Sequence, residues 1–154
     1  MSRTIIIGYG NPLCGDDAVG YYAARKLSEL VKSEDITIHT YHQLTPELAA
    51  DISRYDKAVF IDASVGGTPG TITTAQIDPT HIPNRTFSHQ LDPESVLTCS
   101  QALYGRVPAA YLVTIDAGSF GYMEDLSGPV KAGLSDLIDA VLEIIEYKET
   151  KVIS

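Results

Sequence analysis

The sequence predicts a three-layer α/β/α domain built on a mostly parallel sheet of about five strands, with one antiparallel edge strand. Three observations predict it. Short runs rich in β-branched residues alternate with amphipathic stretches at helical spacing. The first run leads straight into a glycine-rich turn and a helix, Gly8-Tyr9-Gly10-Asn11-Pro12-Leu13-Cys14-Gly15-Asp16-Asp17-Ala18-Val19-Gly20. At 154 residues, 44% apolar and 20% charged, the chain has the length and composition of one globular domain, residues 1–154.

Residues 3–8 form the first strand, and Ile5-Ile6-Ile7 marks it as buried on both faces. A helix follows from Asp16 or Asp17 to Val31, because Val19, Tyr22, Ala23, Leu27, Leu30 and Val31 recur at helical spacing. The acidic residues at its start suit the helix dipole. Residues 36–42 alternate as a second strand, and Thr45-Pro46-Glu47-Leu48 opens a short helix with Thr45 as N-cap and Pro46 in the first helical position.

Lys57 to Ala63 is a third, continuously apolar strand. The loop Gly66-Gly67-Thr68-Pro69-Gly70 leads to Thr71–Ile77, a Thr-rich edge strand expected to run antiparallel. Residues 78–90 form a loop long enough for function to be its usual explanation. Asp92-Pro93-Glu94 begins a capped helix reaching Tyr104, Ala110 to Ile115 is another buried strand, and Pro129 to Lys148 closes the chain as a long amphipathic helix.

Charge narrows the function classes. Lys and Arg total 11 against 20 Asp and Glu, a net charge of −9, which repels nucleic acid and anionic membrane surfaces. Cys14 and Cys99 form neither a disulfide framework nor a zinc motif, which fits a reducing cytoplasm. No apolar stretch approaches the roughly 20 residues that span a bilayer.

In open α/β sheets the functional crevice lies beyond the carboxyl ends of the parallel strands. Topology therefore collects Asn11, Asp16 and Asp17 after strand one, Asp62 at the tip of strand three, and His89 at the end of the 78–90 loop. The turn itself is a poor phosphate cradle. A dinucleotide loop requires a glycine where this chain has Leu13, and no P-loop lysine follows. Of Asp16 and Asp17, one is expected to cap the helix, a role worth about 1 kcal/mol, and the other to be free.

Asp62 closing an apolar strand must be bonded by loop amides or be used in chemistry. For His89 a structural bond and a chemical role are equally open, and His39, His42 and His81 carry less context. Two carboxylates and an imidazole suit a divalent ion with open positions or general acid–base hydrolysis. No Gly-x-Ser-x-Gly elbow is present, and neither cysteine has a triad-like setting.

The stretch from Gly8 to Gly20 resembles the Gly-x-Gly-Asn-x-Leu-x-x-Asp-(Asp/Glu)-x-x-Gly signature of the hydrogenase maturation proteases. Phe60-Ile61-Asp62-Ala63 is similar to that family's strand-end aspartate, and Ser88-His89-Gln90-Leu91 to its histidine loop. The resemblance implies an endopeptidase that removes the C-terminal extension of a [NiFe] hydrogenase large-subunit precursor once nickel is inserted. It implies that Asp17, Asp62 and His89 form the catalytic site and engage nickel, with Asn11 and Asp16 in support.

No cofactor is then permanently bound, since the nickel arrives with the substrate. Which group acts as base stays open, including an aspartic-type role for Asp17 or Asp62. One segment departs from the family pattern: where many members carry an Asp-Gly-Gly turn, this chain has His42-Gln43-Leu44-Thr45-Pro46, similar to the subgroup that serves bidirectional hydrogenases. The alternatives are a nucleotide- or flavin-binding module using the Gly8–Gly15 turn, and a nickel-binding maturation factor without hydrolytic activity. A cytoplasmic monomer is expected.

Overall fold

The computed structural model describes residues 2–79 and 91–147. Its centre is a five-stranded sheet in the order β2-β1-β3-β5-β4. The strands are β1 (Thr4–Tyr9), β2 (Ile36–Tyr41), β3 (Lys57–Ser64), β4 (Ile72–Ile77) and β5 (Ala109–Asp116). All pairs are parallel except β4 with β5, so the Thr-rich run is the expected antiparallel edge strand. Among the described residues four α-helices flank the sheet: α1 (Val19–Leu30), α2 (Leu48–Ile52), α3 (Pro93–Tyr104) and α4 (Gly128–Ile144).

The strand period of two divides the core. Ile6, Val59, Ile61, Val113 and Ile115 pack with Val19, Ala23 and Leu27 of α1 and with Val130, Leu137 and Val141 of α4. Ile5, Ile7, Ala58 and Phe60 face the other way, against Leu48 and Ile52 of α2 and Val96 and Leu97 of α3. The central strands β1 and β3 are thus apolar on both faces, which is why they read as continuous runs and not as alternation.

Element boundaries moved where local signals competed. The first helix begins later than expected: residues 15–18 form a 3-10 turn and α1 starts at Val19, with Ala18 at its N-cap and no side chain capping it. Thr45 and Pro46 lie in a turn before α2, which starts at Leu48. Asp92 does cap α3, accepting the Ser95 amide at 2.8 Å. Among the described residues no helix is long and apolar enough to cross a membrane.

Topology places the functional edge. From β1 the chain steps outward to β2, then returns to the far side of β1 as β3, so the strand order reverses between β1 and β3. Ligand crevices of open α/β sheets form at such a switch point, beyond the strands' carboxyl ends. The register sets Gly8 opposite Ile61 on one side and Tyr9 opposite Tyr41 on the other. Asp62 and His42 therefore emerge on either side of the end of β1.

Candidate active site

The glycine turn is compressed against the start of α1. Gly10 has φ 142, and a Cβ there would lie 1.9 Å from the Asp17 carbonyl oxygen. At Gly20, the second residue of α1, a Cβ would lie 2.5 Å from the Ile61 carbonyl oxygen, so α1 can sit directly over the sheet only with glycine there.

The turn's own amides are already engaged. Gly10 donates to the Tyr41 carbonyl, Cys14 to Asn11, Asp16 to Ser119 and Asp17 to Cys14, at 2.8 to 3.2 Å. Leu13 donates to the Asn11 side chain at 2.9 Å, and Asn11 donates to the Asp17 carboxylate at 2.7 Å. A phosphate would have to displace these bonds as well as face a carboxylate. The nucleotide-module reading finds no cradle here.

Asp16 and Asp17 separate completely. Asp16 is fully buried, and its carboxylate accepts four hydrogen bonds: from the Gly118 amide (2.6 Å), the Ser119 amide (2.9 Å), and the Ser127 amide and hydroxyl (both 2.7 Å). Burial raises its pKa, but these donors outweigh burial and hold the carboxyl below its ordinary value. The expectation that one of the two aspartates caps their own helix is corrected: Ala18 stands at that N-cap and no side chain bonds there. Asp16 sits at the start of α4, whose N-cap residue is Ser127, and ties the 118–127 loop to the glycine turn.

Asp17 points the other way, into a cleft of about 210 Å³ that it shares with Tyr9, Gly10, His42, Asp62, Val65 and Phe120, among others. Asp62 is partly buried there, and its Oδ1 accepts the Ala63 amide at 2.7 Å. Burial pushes its pKa up to about 6. The Tyr9 hydroxyl and the Ala63 amide pull it back, while the nearby charge of Asp17 adds to the rise. Burial and Asp62 together push the Tyr9 hydroxyl far up, so it stays protonated and donates to the carboxylate.

The structure thus brings two of the three expected site residues into one cleft. His89 and His81 lie outside the described residues. Among the described residues no group of three His, Cys, Asp or Glu side chains is arranged to hold a metal ion. His39 is exposed on β2, stacked on Tyr41, and takes no part in the cleft. Two cleft residues were missed from the sequence, Tyr9 and His42. The signal was available: each lies at or just past the carboxyl end of a parallel strand beside the switch point, the place that singled out Asp62. Two larger grooves, of about 380 and 400 Å³, run along α1 and α4 and share no lining residue with this cleft.

The cleft can hold a polarised carbonyl or a cation between two carboxylates, one of them retaining its proton to unusually high pH for an aspartate. Comparison with known proteins gives this chemistry a family. No family model matches the chain, and no curated protein is similar to it at a significant level. Solved structures do match. The chain is 30% identical to a [NiFe] hydrogenase maturation protease, HycI, from Thermococcus kodakarensis KOD1, over 95% of this chain and 94% of that one, with a TM-score of 0.75.

It is 25% identical to an endopeptidase from Escherichia coli, over 94% of this chain and 92% of that one, with a TM-score of 0.78. The fold is shared also with the E. coli hydrogenase maturating endopeptidase HybD, at 22% identity, the same coverage and a TM-score of 0.78. With near-complete mutual coverage and the glycine-turn signature in place, the chain belongs to the [NiFe] hydrogenase maturation proteases, a family of peptidases.

Proposed function

We propose that this protein removes the C-terminal extension of a [NiFe] hydrogenase large-subunit precursor after nickel has been inserted, and recognises the nickel that the precursor carries. The observation that supports the reading most directly is the joining of Asp17 and Asp62 in one cleft at the sheet's switch point. Two carboxylates with a histidine match the donor set of a borderline divalent ion. His89 is the third group of the proposed site, which needs no resident metal because the substrate supplies the ion.

In this reading Asp17, Asp62 and His89 anchor the substrate's nickel, which fixes the scissile carbonyl beside the carboxylates and converts the attack of water into a positioned step. The water oxygen adds to the carbonyl carbon. Its proton passes to the carboxylate of Asp62, which burial inclines to take up a proton. Collapse of the tetrahedral intermediate then breaks the C–N bond, and the protonated carboxyl returns the proton to the departing amine. This is an aspartic-type peptidase role, carried out by a monomer in the reducing cytoplasm.

The test incubates the purified protein with its cognate precursor, with and without nickel, and follows the precursor's mass. The expected result is loss of a C-terminal peptide only from the nickel-loaded form. An intact nickel-loaded precursor would refute the function. Cleavage of both forms alike would refute nickel recognition alone.

A further inference from the structure

Among the described residues, five of the nine large apolar side chains exposed to water gather at one edge of the sheet. Leu13 (45% exposed), Val65 (83%), Phe120 (41%), Tyr122 (72%) and Met123 (70%) all stand at the carboxyl edge of the sheet. They come from three separate loops, those after β1, β3 and β5. Val65 and Phe120 line the carboxylate cleft itself. The others continue outward from it: the Met123 amide donates to the Leu13 carbonyl at 2.6 Å, and Tyr122 pairs with Cys14 through an isolated antiparallel bridge. The five side chains form an apolar rim around one mouth.

The rim is held in place. Asp16 fastens Gly118 and Ser119 from below, and the Ser119 hydroxyl donates to Glu124 at 2.6 Å. Met123 adopts φ 62, a left-handed conformation uncommon for a residue with a side chain, while that side chain points into solvent. An unfavourable backbone conformation that presents an apolar group to water does nothing for the isolated fold. Contiguous apolar patches of this kind mark surfaces of interaction.

Charge and continuity select the occupant. The described residues lining the cleft include two aspartates and no Lys or Arg, and the chain carries −9 overall. An acidic segment would be repelled; a neutral or cationic one with apolar side chains would bury them on the rim as its backbone enters the cleft. We infer that the rim holds the apolar side chains flanking the scissile bond of the polypeptide substrate, which rests on the peptidase function proposed above.

The test compares steady-state cleavage of the nickel-loaded precursor by the wild type, by a triple variant Val65→Ser/Tyr122→Ser/Met123→Gly, and by Leu103→Ser. Glycine keeps the backbone conformation at position 123. Leu103 is a control, 69% exposed near the end of α3, which precedes β5 and so lies at the opposite edge of the sheet. The expected result is a KM raised about tenfold or more in the triple variant with kcat retained, and no change in the control.

Wild-type cleavage with an unchanged KM in the triple variant overturns the rim and leaves the peptidase function standing, as does a fall in kcat alone. No cleavage by the wild type removes both. Sedimentation of the same proteins adds one outcome: a wild-type dimer dissociated by the triple variant, with KM unaltered, would assign the rim to a second copy and overturn the inference.

Discussion

Asp16 and Asp17 are adjacent in the chain and stand in opposite physical settings. Asp16 is enclosed by four hydrogen-bond donors and cannot be reached by solvent. Asp17 accepts one amide and faces the cleft that holds Asp62, whose burial and proximity to Asp17 raise its pKa. The difference lies in the donor count. A carboxylate with all its lone pairs satisfied by fixed amides stabilises the fold in its charged form. One that is short of donors and opens onto a cleft is left available to a water, a peptide or a cation.

The largest effect expected from this contrast is on activity. Asp17→Asn and Asp62→Asn should each lower precursor processing by about a thousandfold or more, with the circular dichroism spectrum retained. Mass spectrometry of the precursor's C-terminus provides the measurement, and near-normal processing by Asp62→Asn would take that residue out of the site.

Asp16→Asn ranks next. An amide places donors against donors in a buried pocket, so urea unfolding should show a loss of about 3 kcal/mol. A loss near 1 kcal/mol would return Asp16 to the role of an ordinary helix cap and dissolve the contrast.

The third effect has the opposite sign. Asp62 has a folded pKa of about 6 against an ordinary 3.8, so the native state binds its proton more tightly than the unfolded chain does. Its contribution to stability is complete below about pH 4 and is lost as pH rises through about 6, so Asp62→Asn should stabilise the fold at pH 7 by about 2 kcal/mol. Asp16, with a lowered folded pKa, contributes above its unfolded pKa, and that contribution is lost as pH falls. Urea midpoints for wild type and both variants across pH 3 to 8 separate the two slopes. The absence of any gain in Asp62→Asn would contradict the crowded-carboxylate description.

The smallest effect calibrates the others. Asp92 is a helix cap of the usual kind, and Asp92→Ala should cost about 1 kcal/mol in the same unfolding assay. A cost matching that of Asp16→Asn would mean that counting donors does not distinguish a cap from a buried anchor.

The sequence by itself determined the layer architecture, because both-face burial writes continuous apolar runs into central strands and the 3.6-residue period into helices. It also marked Asp62 and the Asp16–Asp17 pair, since topology assigns strand-end carboxylates to one edge, and the signature from Gly8 to Gly20 indicated the family and singled out Asp17. The tertiary structure alone decided what Asp16 does, because its donors lie 102 to 111 residues away in a loop that carries no local mark of the contact. The same holds for the apolar rim, which three separate loops assemble. Local sequence sets the period of a segment and the chemistry of its side chains. Which distant backbone group meets a given carboxylate is set when the sheet orders its strands and the loops close over its edge.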